Sequence, residues 1–206
     1  MPNATNVTAD RRARSARGST GYKPHIDSLR GQLLVAGATL PDPNFARTVV
    51  LVCEHSDDGA LGLVLNRPGD LVVGEVAPEL APLVGEEAVI GAGGPVQPDA
   101  LLVLGEFEDA SWAGMPILGS VGLMGDRREI SELVGVTRRA RAFAGYAGWG
   151  PGQLDAELER DDWFVAPAGV DDIFDPDAGV LWSRVLDRKG GHYRVVARMP
   201  IDPSVN

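Results

Sequence analysis

The stretch from Gly31 to Pro68, GQLLVAGATLPDPNFARTVVLVCEHSDDGALGLVLNRP, constrains the fold of this chain more than any other. Gln32–Gly37 is a short apolar run that reads as a buried strand. Pro41-Asp42-Pro43 stops it, because each proline lacks an N–H and restricts the residue before it. Arg47–Glu54 is rich in β-branched residues and reads as a central strand. Ser56-Asp57-Asp58-Gly59 is a turn, and Ala60–Leu65 returns as the next strand, so the two form a hairpin that Asn66-Arg67-Pro68-Gly69 ends. A hairpin puts an antiparallel component into the sheet and argues against a purely doubly wound parallel one.

Further along, Val73–Val84 has helical spacing, kept short or irregular by Pro78 and Pro82. Ala88–Ala92 and Asp99–Gly105 read as strands around a Gly93-Gly94-Pro95 turn, and Met115–Leu123 as one more strand. Asp126–Leu133 is a candidate helix with Asp126 as its N-cap. Thr137–Ala147 fits either type: Val136, Ala140, Phe143 and Ala144 have helical spacing, and Phe143–Ala147 before Gly148 suits a strand. Pro151–Arg160 reads as a helix with Pro151 in its first turn. Trp163–Pro167 reads as a strand, and Val170–Phe174 and Val180–Leu186 as short helices, the second stopped by Gly190 with Leu181, Trp182 and Val185 facing inward. His192–Met199 fits either type. Strands and helices alternating in one domain give an α/β fold: a mixed, distorted sheet with an antiparallel hairpin, flanked by helices.

Charge divides the 206 residues unevenly. Residues 1–30 hold Arg11, Arg12, Arg14, Arg17, Lys23 and Arg30 against Asp10 and Asp27, a net +4, which leaves −14 for the rest of a chain at −10. Residues 1–28 lack periodicity and read as a disordered basic tail, and 29–206 as the domain. A body at −14 repels phosphate backbones, so direct sequence-specific DNA binding is not expected. The single cysteine, Cys53, rules out an internal disulfide and fits a cytoplasmic setting. No apolar window spans 18 residues, so no membrane association is expected. The basic leader has no apolar run behind it and is not a secretory signal.

Candidate chemistry gathers at strand and helix ends. Glu54-His55 follows the second strand, where a carboxylate and an imidazole can do acid–base work. On a regular strand Cys53 and His55 share a face and Glu54 does not, at a Cα spacing of roughly 6.5–7 Å that is long for a thiolate–imidazole pair. The other reading is a buried cysteine beside a hydrogen-bonded structural histidine. Arg67 can clamp a carboxylate or phosphate, or pair with Asp42, Asp70 or a helix end. Gly94 belongs either to an anion-binding nest or to a tight turn. Trp149 and Gln153 flank a helix start, where the indole can stack on a ligand or anchor the turn. No metal site is expected, because His25, His55 and His192 are far apart and no CxxC occurs. No cofactor is expected: GxGxxG and Walker loops are absent. GxSxG and helix-turn-helix patterns are absent too.

The joint occurrence of Gly31–Ala36, Asp42-Pro43 with Phe45, Arg47-Thr48-Val49, Glu54-His55, Leu65-Asn66-Arg67-Pro68, Gly93-Gly94-Pro95 and Gly145–Trp149 with Gly152-Gln153-Leu154-Glu157 resembles the AlgH/YqgE family of bacterial proteins. The chain departs from it at Ala36-Gly37-Ala38, where relatives carry Ala-x-Pro, and at Val103-Leu104-Gly105, where relatives show aromatic or histidine residues. The resemblance implies the mixed, distorted sheet, a strand over Arg141–Ala147 entering the glycine-tryptophan turn, a cytosolic location and a regulatory label. It transfers no catalytic residues.

Three functions follow as expectations. The first is a non-enzymatic regulatory or ligand-binding module acting indirectly on gene expression through a protein or small-molecule partner, with Arg47, Asn66, Arg67, Gly94, Trp149 and Gln153 as binding residues. The alternative is a hydrolase or transferase with a site centred on His55, with Cys53 or water as nucleophile and Glu54 beside it. The third is an interaction protein with Trp112, Met115 and Ile117 in an exposed patch.

Overall fold

Leucine- and valine-rich runs build the centre of the sheet. β1 (Gln32–Ala36), β2 (Val49–Ser56) and β3 (Gly59–Val64) lie side by side and antiparallel, with Leu51 opposite Leu33 on one side and Leu63 on the other. The computed structural model describes residues 28–37, 40 and 42–199. The basic tail expected over residues 1–28 lies outside the described residues, Ser28 excepted.

β4 (Pro68–Val72) and β5 (Val89–Ala92) form a side pair. β6 (Val96–Phe107), β7 (Met115–Leu118), β8 (Val121–Leu123), β9 (Thr137–Trp149) and β10 (Trp163–Pro167) complete one sheet of ten strands among the described residues. Its main order is β10-β1-β2-β3-β9-β6-β8-β7. β9 is the spine. Its end pairs with β3, its length pairs with β6, and Phe143–Ala144 run parallel to β5, the one parallel pairing among the described residues. The expected mixed sheet is present.

Both faces of the central strands are buried, which explains why they read as continuous apolar runs rather than alternating ones. Leu33, Val35, Leu51, Cys53 and Leu63 face a core closed by α5 (Val170–Ile173), α6 (Leu181–Lys189) and α7 (Tyr193–Ala197). Leu34, Val50, Val52 and Val64 face the opposite core, closed by α4 (Gln153–Glu159), Trp149 and Trp163. A third cluster, including Val73, Ala77, Leu80 and Ile90, packs α1 (Val73–Val76) and α2 (Ala81–Val84) on β5 and β9. Each fully buried leucine or valine in these layers contributes about 1.5–3 kcal/mol.

The structure departs from the sequence expectations at specific places. Met115–Leu123 is the β7–β8 hairpin rather than one strand. The helix expected over Asp126–Leu133 is confined to α3 (Ile130–Val134), with Glu129 rather than Asp126 at its N-cap. Arg128 is engaged elsewhere, donating to the Ser111 carbonyl and lying over the Trp112 ring, which takes the start of the segment out of the helix. α4 begins after Pro151, because Gly152 at its N-cap has φ +69°, a left-handed conformation that glycine adopts without a Cβ penalty. β4 has no counterpart in the sequence reading. His192–Met199 resolves as helical, through α7. Ile117 is buried in the main core, so it does not share an exposed patch with Trp112 and Met115, which are half-buried.

Candidate functional site

The sequence-selected residues separate into two groups. The first surrounds the turn at residues 42–47. Arg47, a non-glycine residue with φ +55°, ends that turn. Its guanidinium lies 4.7 Å from the Trp182 ring centroid and donates to the Met199 carbonyl. Asn66, buried at the end of β3, holds the turn from the other side: its Oδ1 accepts from the Val49 N–H at 2.8 Å, and its Nδ2 donates to the Arg47 carbonyl at 2.8 Å. Arg67 donates to the Ala46 carbonyl at 2.5 Å, not to Asp42 or Asp70. Asn66 and Arg67 therefore tie the 42–47 turn to the sheet by adjacent side chains.

Between this turn and the Gly93-Gly94-Pro95 turn lies an open cleft of about 290 Å³ lined by Pro43, Asn44, Arg67, Ala92, Gly94 and Pro95. Gly94 is required here by contact as well as by its φ of +153°. A Cβ at this position would lie 2.2 Å from the Tyr146 carbonyl carbon, inside the backbone of β9. Arg67 and Gly94 are thus brought to one surface, with Arg47 and Asn66 immediately behind it.

The second group sits at the far end of β2. The register of β2 against β3 slips between Val52 and Glu54, leaving Cys53 as the extra residue of a β-bulge. The slip reverses the alternation expected from the sequence. Glu54 faces Leu61, which packs with the Cys53 core, whereas His55 faces Ala60, which packs with the Val52 core. Cys53 and His55 therefore lie on opposite faces. Cys53 Sγ donates to the Leu51 carbonyl at 3.6 Å, and burial pushes its thiol up to about 12. His55 Nδ1 accepts from the Leu29 N–H at 3.1 Å, and its Nε2 stands 3.7 Å from Asp155 Oδ1 on α4.

Trp149 and Gln153 converge on a residue the sequence reading left out of the site. Glu157 Oε2 accepts from both indoles, Trp149 Nε1 at 2.8 Å and Trp163 Nε1 at 2.8 Å. Its Oε1 accepts from Gln153 Nε2 at 2.9 Å, and Gln153 Oε1 accepts from the Gly150 N–H at 3.1 Å. Phe45 stacks on Trp149 at 6.3 Å between centroids and meets Trp163 edge-on at 5.5 Å. Trp149 anchors its turn through these contacts, and its edge borders an open cleft of about 430 Å³ shared with Glu54, Asp58 and Tyr146. Two signals in the sequence point to the hub: Gln153 and Glu157 stand four residues apart on α4, and Glu157 closes the family-like motif Gly152-Gln153-Leu154-Glu157.

Among the described residues no group of three or more His, Cys, Asp or Glu side chains is placed to hold a metal. No described helix is long and apolar enough to cross a membrane.

The helix-flanked, mostly antiparallel sheet and the turn-locking contacts at its strand ends lie within residues 33–194, which the family model of AlgH-like proteins matches. The chain belongs to this family. A UPF0301 protein of Thermobifida fusca is 44% identical over 198 residues, covering 88% of this chain and 98% of that protein. A UPF0301 protein of Streptomyces coelicolor is 41% identical over 189 residues, covering 88% and 97%. Two solved structures share the fold. A Corynebacterium diphtheriae protein superposes with a TM-score of 0.76 at 28% identity, covering 85% of this chain and 94% of its own. The AlgH protein of Pseudomonas aeruginosa superposes with a TM-score of 0.63 at 30% identity, covering 86% and 97%.

Proposed function

We propose that this protein is a cytosolic, non-enzymatic ligand-binding module that takes a small carboxylate or phosphate at the Arg67 cleft and acts on gene expression indirectly, through a protein partner. The observation that carries this reading is the placement of Arg67. Its guanidinium borders the cleft, held in place by the neutral Ala46 carbonyl, and its charge is matched by no carboxylate among the described residues. A guanidinium already fixed in position loses little further freedom on binding an anion, and its planar fork suits carboxylate or phosphate oxygens. Asn44 and the backbone at Gly94 supply the facing polar groups. Arg47 and Asn66 act as positioning residues that set the turn against which Arg67 leans. The acidic body supports an indirect route to any change in transcription.

The alternative, a hydrolase or transferase centred on His55, has the approach of His55 Nε2 to Asp155 in its favour. The bulge works against it by turning the imidazole away from Cys53.

The test is a thermal-shift series of the full chain with small carboxylates and phosphates. A compound that raises the melting temperature of the wild type, with no rise in Arg67→Ala, supports the site. An equal rise in both proteins, or no rise with any compound, overturns it.

A further inference from the structure

We propose that the cleft between the 110–112 turn, the β7–β8 hairpin and the 124–129 loop is a second ligand site, separate from the Arg67 cleft, which binds a small amphipathic monoanion: an aromatic or aliphatic body carrying one acidic group. The cleft is half open to solvent and has a volume of about 800 Å³, within the range of small-molecule sites. One wall is apolar, formed by Met115, Leu123 and Met124. Unbranched thioethers adapt to ligands of varied outline. Two chain segments touch directly beneath it, because a Cβ on Gly114 would lie 2.4 Å from the Gly125 Cα, so this part of the cleft is backbone with no side chain filling it.

Arg128 supplies the positive group whose position is fixed. It lines the cleft, donates to the Ser111 carbonyl at 3.1 Å, and lies 4.5 Å from the Trp112 ring centroid. Both partners hold the guanidinium without neutralising it, so one positive charge is presented in a fixed place. Arg127, Asp126 and Glu132 also line the cleft, and their side chains are engaged in no hydrogen bond or ion pair among the described residues. With Arg128 the lining carries two positive and two negative side chains, so the cleft has no net charge to draw in a multiply charged anion, and the one guanidinium held in place suits a single acidic group beside an apolar body. The arrangement sets an oriented ligand: acid toward Arg128, body against the two methionines.

Two fluorescent probes with the same rings test this on the full chain: 1-anilinonaphthalene-8-sulfonate, an anion, and N-phenyl-1-naphthylamine, its neutral counterpart. The wild type is expected to bind the sulfonate at one site, about tenfold more tightly than the amine, the size of one charge-assisted contact. Arg128→Ala is expected to erase that preference while still binding the amine, and Met124→Glu to weaken both probes. Arg138→Ala, which removes an exposed arginine of β9, is expected to keep it. Equal affinity for the two probes in the wild type, or a preference that survives Arg128→Ala in a protein with unchanged melting temperature, overturns the proposal. Neither outcome bears on Arg67, so this site and the Arg67 cleft stand or fall separately.

Discussion

His55 and Asp155 face each other at 3.7 Å, from Nε2 to Oδ1, while the other imidazole nitrogen accepts from the Leu29 N–H at 3.1 Å. Because Nδ1 is an acceptor, the neutral ring carries its proton on Nε2, directed toward α4. The ring thus joins the beginning of the described chain to the helix that follows the Gly148–Gly152 turn. Asp155 Oδ1 is buried and has no hydrogen-bond partner among the described residues, so the imidazole is its nearest source of compensation. His55→Ala is expected to cost about 1–3 kcal/mol by leaving the Leu29 N–H without its acceptor and Asp155 without the imidazole that faces it. Urea unfolding measures the cost, and nitrogen chemical shifts of the imidazole check the tautomer. A variant as stable as the wild type contradicts this account.

Cys53 is expected to make the protein less stable in alkali. Burial raises its thiol from the ordinary 9.0 to about 12, so the folded protein keeps a proton that the unfolded chain releases. Below pH 9 both states are protonated and the group has no effect. From 9 toward 12 the unfolded state binds fewer protons, so stability falls by about 1.4 kcal/mol per pH unit from this group alone. The difference between wild type and Cys53→Ala, followed by urea unfolding from pH 8 to 10.5, isolates the slope from tyrosines and lysines. Iodoacetamide at pH 7.5 is expected to label Cys53 only in denaturant.

Glu157→Gln is expected to destabilise by about 1.5–3 kcal/mol, because one carboxylate oxygen serves two buried indole N–H groups and a neutral amide oxygen is the weaker acceptor. Calorimetry gives the loss. A double-mutant cycle with Trp163→Phe is expected to show that the two changes are not additive, since they remove parts of one network. Strict additivity would mean that the tryptophans are held by their ring contacts and not by the carboxylate.

Much of this architecture was legible in the chain. The hairpin at the centre, β1 and α6 follow from apolar run length, turn residues and a stop at Gly190, all of them local signals. The bulge at Cys53 was not legible, because it depends on how β2 registers against β3. It decides which face His55 occupies, and so the candidate chemistry. β4 does not show in the sequence because Gly69 and Asp70 break any apolar alternation, and among the described residues it pairs with β5 alone. The helix expected over Asp126–Leu133 is present as α3 but starts later, because Arg128 is claimed by Ser111 and Trp112, residues of a turn 16 or more positions earlier. For the cleft, the sequence named Arg67 and Gly94, but the turn that faces them depends on Asn66 reaching back across 19 residues to the Arg47 carbonyl.

Arg67→Ala and Asn66→Ala are expected to separate binding from folding. Arg67 is partly exposed and makes one hydrogen bond to a carbonyl, so its removal costs about 1 kcal/mol or less. Asn66 is buried and satisfies a donor and an acceptor at once, so its removal costs about 2–4 kcal/mol. Chemical denaturation is expected to rank them in that order. A reversed ranking would place the anchor of the 42–47 turn on Arg67 and make it structural first.

Gly94→Ala is expected to be among the most damaging small changes in the chain. The added Cβ would meet the Tyr146 carbonyl carbon at 2.2 Å and the Ala147 nitrogen at 2.3 Å, and both are backbone atoms of the central strand β9. A flexible side chain moves aside cheaply, but a paired strand does not, and the φ of +153° adds its own penalty for an L-residue. The 93–95 turn must shift away from β9, which is expected to cost about 3 kcal/mol or more and to displace one wall of the Arg67 cleft. Gly152→Ala serves as the comparison. It has positive φ as well, but nothing lies within 4 Å of its Cβ position, so it is expected to lose only about 1 kcal/mol. Thermal unfolding of the two variants side by side checks the contrast. Equal losses would show that backbone conformation, and not the contact with β9, is what requires glycine at position 94.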